Sequence, residues 1–453
     1  MDIRYNMIHW VHRATRGWSY GGWISDPRTG EIIKGNVSLG SLRLRQDYLI
    51  AAGLLAPYKD KNSIPESMRQ LALARIRQLV AHEIGHTIGI QHNFLASTFD
   101  RASVMDYPHP TLTLNSSNQI EWKNAYDVGI GEWDKISVAY GYQDFPNNVD
   151  EDMALEEIIQ NGIRRGITFI TDQDSRPPGS AHPGSHLWDN GKNPTLELQN
   201  IINIREVALS NFGENNIRYG EPYSDLGDVL VPIYLLHRYQ IEAAAKIIGG
   251  LNYSYAMRGD GQLITEMLDE DSQLESLNVL IKTLQPDFLT LSEDIIELIP
   301  PRASGRGKTR ESFKSRTGLT FDGISLAETA AAMTAKMLFN PERAARLIEY
   351  HARDSSQPGL KKVIDSIVEE TLLKKTLTGL EGEVKRNVDF VILDHLMNLA
   401  VNDKSSPSVK SIAMLSLNEL SSKIMRKNSR DFRERAHQSA LEKRLKDFEK
   451  NPK

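Results

Sequence analysis

Cysteine is absent from the 453-residue chain, and its absence excludes several kinds of site. Without a thiol there is no disulfide scaffold, no thiolate zinc site, no iron–sulfur cluster and no cysteine nucleophile. An excess of basic residues is also missing, because 54 Lys and Arg face 59 Asp and Glu, a formal net charge of −5. This balance argues against a protein that binds nucleic acid through bulk positive charge. Cysteine-free chains suit the cytosol and oxidising compartments alike, so the compartment stays open.

The chain has no apolar run near the roughly 20 residues that cross a bilayer, which argues against an integral membrane protein. Its first residues lack the basic, apolar and cleavage-site regions of a secretory signal. They predict a strand over Ile3–Val11, followed by strands over Trp18–Ile24 and Gly30–Leu39. The turn Asp26–Gly30 joins the last two strands and has proline and glycine where a turn favours them.

Composition changes along the chain indicate three zones. Residues 1–145 mix strand-like, loop and helical segments, and residues 146–225 are rich in loop-forming proline and glycine. From 226 to 453 the periodicity is mainly helical, with an interruption around Pro300–Lys308. The last 30 residues alternate acidic and basic side chains at helical spacing. We interpret them as a solvated helix face in preference to a nucleic-acid-binding tail, because acids interleave the bases.

One long helix is predicted over Ser63–Gly89. Ser63 begins it as a capping residue, with a proline and a glutamate following in the first turn. It ends in the sequence His82-Glu83-Ile84-Gly85-His86. Two histidines four residues apart share one face, so both imidazoles can bind one zinc ion with Glu83 beside the metal. Taken alone, this pattern also occurs on exposed helix faces.

The residues after this motif make the zinc interpretation more specific. Gly89 adopts positive φ at low cost and lets the helix stop, so His92 can turn back as a third nitrogen ligand. Three neutral histidines leave the fourth zinc position for water, as a catalytic site requires. Met105 follows thirteen residues after His92, within the short segment Ser103–Pro108.

The predicted site suggests how a peptide bond would be hydrolysed. Zinc lowers the pKa of water, and Glu83 takes the proton as that water attacks the carbonyl, then passes it to the leaving amine. Tyr107 is placed to reach the metal or the oxyanion. The alternative for Tyr107 is a tyrosine that only packs in the core or the turn.

The motif His82-Glu83-x-x-His86-x-x-Gly89-x-x-His92 with Met105 resembles the metzincin clan of zinc endopeptidases. The pairing of Met105 with Tyr107 is similar to the astacin and serralysin branches. Further stretches resemble the Met-zincins, a large bacterial zinc-dependent metalloprotease family whose long members carry extra N-terminal domains. These stretches are Asp26–Ile32, Gly40–Arg43, His92–Phe94 and Val231–Gln240. Trp133–Gly141 resembles the C-terminal catalytic-domain helix of many metzincins.

The resemblance implies an α+β fold. Residues 1–145 would form a metzincin-like peptidase domain, with a twisted mixed sheet, the active-site helix and the Met-turn. On composition and periodicity, residues 146–225 would be a loop-rich extension packing on it, and residues 226–453 a mainly α-helical C-terminal region. The strand near Val37–Leu42 would be the sheet edge that pairs with an extended substrate.

The same resemblance implies that this chain is N-terminally truncated. Family members begin with a strand and helix of the catalytic domain, a further domain and a secretory signal ahead of the point that matches Met1. We therefore expect Met1 to be internal to a longer protein. Secretion or a periplasmic location is expected on the same ground.

Two function classes remain at this point. One is a zinc metalloendopeptidase acting on protein or peptide substrates, with one catalytic zinc ion. The other is a non-catalytic zinc-stabilised binding module, or an inactive truncated peptidase; a purely structural zinc would have no need of Glu83. Two acidic loops, Thr171–Asp174 and Trp188–Gly191, are calcium candidates, but their spacing fits no EF-hand, which favours turn-forming carboxylates.

Overall fold

The computed structural model describes residues 3–12, 18–60, 65–309, 311–375, 377–425 and 429–452. They divide into two compact units. The first takes in the described residues up to Arg176, together with Gly184–Gln240 and Tyr253–Thr265. The second is formed by Pro177–Pro183, Ile241–Asn252 and the described residues from Glu266 onward.

A three-stranded sheet opens the first unit. Its strands are β1 (Met7–Val11), β2 (Tyr20–Ser25) and β3 (Ile32–Gly40), in the order β1-β3-β2. Strand β1 runs parallel to β3 and β2 runs antiparallel to it. The three predicted strands and the turn between the last two are confirmed, with ends that shift by a few residues.

The predicted sheet edge is wrong. Strand β3, which contains Val37 and Leu39, is hydrogen-bonded on both sides and lies in the middle of the sheet. The Val37 and Leu39 side chains are buried and pack with Leu79 of the long helix. An apolar strand is most stable in the middle of a sheet, because the strands on either side satisfy its backbone hydrogen bonds. The antiparallel strand at the edge is β2.

The helices of the first unit begin with α1 (Leu42–Leu55) and the long α2 (Glu66–Thr87). The predicted helix over Ser63–Gly89 is confirmed apart from its ends; Ser63 lies outside the described residues. Gly89 has φ +86°, as its role in ending the helix requires. The later helices are α3 (Glu132–Tyr142), α4 (Glu151–Arg164), α5 (Asp172–Ser175), α6 (Pro194–Ser210) and α7 (Leu226–Tyr234).

A second apolar cluster of the first unit joins α1, α6 and α7. Its buried members are Leu54, Leu112, Ile201, Ile204, Ala208, Ile233 and Leu236. Gly53 lets α1 approach α7 closely, because a Cβ atom there would lie 2.1 Å from Cγ1 of Ile233. The short strands β4 (Thr113–Leu114) and β5 (Ile120–Glu121) form a hairpin beside this cluster.

The remaining chain is mainly helical, as predicted. Helix α8 (Arg238–Ala245) is followed by β6 (Leu251–Tyr253) and β7 (Thr265–Met267), which form a two-stranded sheet. The helices of the second unit are α9 (Glu270–Lys282), α10 (Pro286–Leu289), α11 (Glu293–Glu297), α12 (Gly323–Leu338), α13 (Pro341–Arg353), α14 (Leu360–Glu370), α15 (Gly379–Val401), α16 (Pro407–Met425) and α17 (Phe432–Lys450). Among the described residues, no helix or strand lies between α11 and α12, where the interruption was predicted.

The fold is therefore α+β with a helical region, as expected. The stretch 146–225 contains α4 and α6, so it is less irregular than its composition suggested. The division at 145 and 225 stays a prediction. In the part of the chain that the structure describes, no helix has the length and apolar character to cross a membrane.

Candidate metal centre

Three histidines converge at the C-terminal end of α2. His82 and His86 lie one turn apart on the same helix face, and the turn at Gly89 brings His92 back beside them. The Nε2 atom of His86 lies 3.2 Å from Nε2 of His82 and 3.1 Å from Nε2 of His92. Within the described ranges, this is the one group of three or more potential metal-ligand side chains that comes together.

The opposite ring nitrogens show which tautomer each histidine adopts. Nδ1 of His82 lies 2.7 Å from the Val104 carbonyl oxygen, and Nδ1 of His86 lies 2.9 Å from that of Ile90. Nδ1 of His92 lies 2.8 Å from a carboxylate oxygen of Asp172. Each Nδ1 faces an acceptor and therefore carries the proton, which leaves a lone pair on each Nε2.

This donor set fits a zinc ion. Three lone pairs that point at one another cannot form hydrogen bonds, but they can all bind one cation. Burial lowers the pKa of His82 well below its ordinary value, and the neighbouring His86 lowers it further. Burial also lowers the pKa of His86. Neutral imidazoles are the form that binds metal, and nitrogen is a ligand that zinc favours.

Glu83 is held between α2 and the edge strand β2. Its side chain is buried and accepts a hydrogen bond from the backbone N–H of Gly21. Strand and helix touch here, because a Cβ atom on Gly21 would lie 2.0 Å from the backbone oxygen of Glu83. Burial raises the pKa of Glu83 to about 7, while the Gly21 hydrogen bond and the charge of Arg75 act in the opposite direction.

Met105 packs directly against the motif helix. Its side chain is fully buried, and a Cβ atom on Gly85 would lie 2.3 Å from the Met105 sulfur. The backbone N–H of Asn93 donates to the Met105 carbonyl oxygen at 3.2 Å, which links this turn to the residue after His92. The lack of a Cβ atom at position 85 leaves room for the Met105 sulfur against α2.

Asp134 on α3 holds the Met105 turn from the other side. Its carboxylate accepts hydrogen bonds from Ser103 Oγ at 2.6 Å and from the Val104 backbone N–H at 2.8 Å. It also caps its own helix through the N–H of Gly131 at 2.7 Å. The Val104 carbonyl oxygen in turn contacts Nδ1 of His82, so Asp134 helps to orient His82 through Val104.

Tyr107 lies beside two of the histidines. The centre of its ring is 5.2 Å from that of His82 and 4.8 Å from that of His92. Its hydroxyl oxygen accepts a hydrogen bond from Arg176 Nη2 at 3.4 Å. Burial raises the pKa of Tyr107 above that of an ordinary tyrosine, so the phenol keeps its proton. Its ring also contacts Trp188, with centres 5.1 Å apart.

Two contributors to this site were missed by the sequence analysis, Asp172 and Arg176. Asp172 appeared there only as part of a calcium candidate, but its carboxylate contacts His92 and Arg176. Asp174 of the same loop accepts a hydrogen bond from Tyr253 at 2.6 Å and another from Tyr255. No local spacing pattern relates Asp172 to a histidine 80 residues earlier.

Comparison with known proteins agrees with this geometry. A family profile described as Met-zincin matches residues 65–378, which is more than half of the chain and includes the three histidines, Glu83 and Met105. Comparison with curated proteins and with solved structures finds no match in either. The chain therefore belongs to the Met-zincin family, within the metzincin clan of metalloproteases.

Proposed function

We propose that the protein is a zinc-dependent endopeptidase whose zinc is held by His82, His86 and His92. The observation that carries this proposal is the convergence of the Nε2 atoms of three histidines next to a buried carboxylate, that of Glu83. Zinc bound there would act as a Lewis acid that makes water more acidic and polarises a peptide carbonyl.

Glu83 is the proposed general base. Its carboxylate accepts a proton from the water whose oxygen attacks the carbonyl carbon, and delivers that proton to the amine as the C–N bond breaks. The Gly21 N–H holds the carboxylate on the side of α2 that faces strand β2. A base held by one hydrogen bond keeps its remaining lone pairs available for the proton.

Tyr107 is the proposed stabiliser of the oxyanion. Arg176 donates to the phenol oxygen, so the phenol's own proton is free to point elsewhere. A hydrogen bond from that proton would stabilise negative charge developing on the carbonyl oxygen.

Strand β2 is the proposed binding edge for an extended peptide. It pairs with β3 along one side only among the described residues, and its Gly21 touches the base. A peptide that adds to this edge by main-chain hydrogen bonds would lie next to Glu83. Export from the cell rests on resemblance alone and stays a prediction.

The test is cleavage of a quenched-fluorescent peptide library by the purified chain. We expect cleavage that a zinc chelator abolishes and added zinc restores. Glu83→Gln should lower kcat by about 10² to 10⁴ and still bind zinc, since the general base is lost and the ligands remain. Glu66→Gln, at the exposed first turn of the same helix, is the matched control and should keep full activity.

Two results would contradict the proposal. A wild-type chain that binds zinc and cleaves no peptide would be a zinc-stabilised binding module. Undiminished cleavage by Glu83→Gln would mean that another group acts as the base.

A further inference from the structure

The third histidine differs from the other two in the group that binds its Nδ1 atom. His82 and His86 each contact a backbone carbonyl, whereas His92 contacts the carboxylate of Asp172, the first residue of α5. A carboxylate carries a full negative charge, so this hydrogen bond is stronger than one to a neutral carbonyl. It also increases the basicity of Nε2 on the far side of the ring.

The backbone leading to Asp172 is fixed to the residues just after His92. The amide of Asn93 donates to the Thr168 carbonyl oxygen at 3.0 Å and accepts from the Ile170 N–H at 3.3 Å. The Phe94 N–H donates to the Ile170 carbonyl oxygen at 2.9 Å. Asn93 is 1% exposed, so these bonds are sheltered from water. The two segments therefore hold Asp172 at a set distance from His92.

The far end of α5 is also anchored. The Asp174 carboxylate accepts hydrogen bonds from the hydroxyls of Tyr253 and Tyr255. Ser175 donates to the Thr171 carbonyl oxygen at 2.8 Å. A helix of only four residues is rarely stable alone, so these contacts keep it in place.

Asp172 also binds Arg176, one turn further along the chain. The guanidinium contacts the second carboxylate oxygen and donates to the Tyr107 hydroxyl. Its central carbon lies 5.5 Å from the ring centre of Phe94 and 5.4 Å from that of Tyr107. Burial raises the pKa of Asp172, but the hydrogen bonds from His92 and Arg176 outweigh it and hold that pKa below its ordinary value. One carboxylate thus connects the third histidine with the proposed oxyanion stabiliser.

We propose that Asp172 is a positioning residue: it fixes the tautomer and ring orientation of His92 and, through Arg176, holds the Tyr107 hydroxyl beside the three histidines. The proposal rests on the zinc peptidase proposed above. Its first consequence, tighter zinc binding, can be measured without any catalysis.

Zinc affinity of the metal-free full chain, measured by competition with a chromophoric chelator, is the direct test. Asp172→Asn should weaken zinc binding by about 10- to 100-fold, the usual effect of losing the group that orients a metal-binding histidine. Asp172→Glu retains the charge and should recover part of that loss. Asp174→Asn is the matched control on the same helix; its amide oxygen still accepts from a tyrosine, so affinity should stay within about twofold.

Two outcomes would overturn the proposal. One is zinc affinity of Asp172→Asn within twofold of wild type. The other is an equal loss of zinc affinity in Asp174→Asn. That result would mean that a shift of α5, and not the loss of the Asp172 contact with His92, weakens zinc binding. If the chain binds zinc but cleaves no peptide, the proposed peptidase activity is refuted. The positioning role of Asp172 can still be tested, because it is measured by zinc affinity alone.

The link to Tyr107 has its own measurement. Arg176→Met should lower kcat by about tenfold in the wild-type background and by less than twofold in Tyr107→Phe, because coupled residues show non-additive losses. KM should change little in either background. Equal losses of kcat in both backgrounds would show that Arg176 does not act through Tyr107.

Discussion

A histidine contacts an aspartate in each of the two units, and these two contacts are alike in length. In the first unit Nδ1 of His92 lies 2.8 Å from Asp172, and in the second Nε2 of His437 lies 3.0 Å from Asp389. Their surroundings differ. The other ring nitrogen of His92, Nε2, lies 3.1 Å from Nε2 of His86. The His437 ring instead packs edge-on against the Phe390 ring, with ring centres 5.3 Å apart.

The aspartate of the second unit also has a different partner. Nζ of Lys385 lies 2.7 Å from the same Asp389 oxygen that His437 contacts. All three side chains are buried, and they join α15 to α17. The aspartate–histidine contact therefore serves helix packing in one unit. In the other we propose that it orients a zinc ligand, because two further histidines bring their Nε2 atoms close to that of His92.

Removing one histidine from each unit should give the largest contrast. His86→Ala removes the proposed ligand whose Nε2 atom lies within 3.2 Å of the other two, and it should abolish stoichiometric zinc binding. His437→Ala should bind zinc as wild type does. Metal analysis of the dialysed proteins measures both. Zinc loss in His437→Ala, or full zinc content in His86→Ala, would remove the distinction between the two contacts.

Removing the two aspartates should have the opposite pattern when stability is measured. The variant of the second unit should then be the more strongly affected. Asp389→Ala leaves the buried ammonium of Lys385 without its counter-charge and should lower the free energy of unfolding of the second unit by about 3–5 kcal/mol. Asp172 has a side chain that is 39% exposed, so Asp172→Ala should cost about 1 kcal/mol or less in the metal-free protein.

Urea denaturation of the metal-free variants makes this comparison. Asp389→Ala combined with Lys385→Met should recover most of the loss, since no buried charge then remains unpaired. A loss for Asp172→Ala as large as that for Asp389→Ala would mean that both contacts are structural.

The smallest expected contrast is between alanine substitutions at two adjacent glycines of β2, because only one of them packs against the helix that holds Glu83. A Cβ atom on Gly21 would collide with the Glu83 backbone, whereas one on Gly22 would meet no atom within 4 Å. Gly21→Ala should therefore lower stability by about 1–3 kcal/mol and displace the base, and Gly22→Ala should have little effect. Thermal unfolding and kcat/KM measure the two consequences. Identical behaviour of the two variants would show that β2 does not support Glu83.

Local patterns predicted the part of the site that lies close together in the chain. His82 and His86 share a helix face and Gly89 ends that helix, so the approach of His92 follows from spacing alone. The sheet edge was predicted wrongly because strand order depends on which strands pair, and Val37 lies in the strand that is covered on both sides. Asp172 was missed because a four-residue helix has no periodicity and its partner is distant in sequence.

X-ray absorption at the zinc edge of the wild-type protein would show whether three histidines hold a zinc ion with an open fourth position. We predict a coordination shell of three imidazole nitrogens and one oxygen from water, the open arrangement of a catalytic zinc. A shell closed by a fourth protein ligand, or a purified chain that binds no zinc, would contradict it.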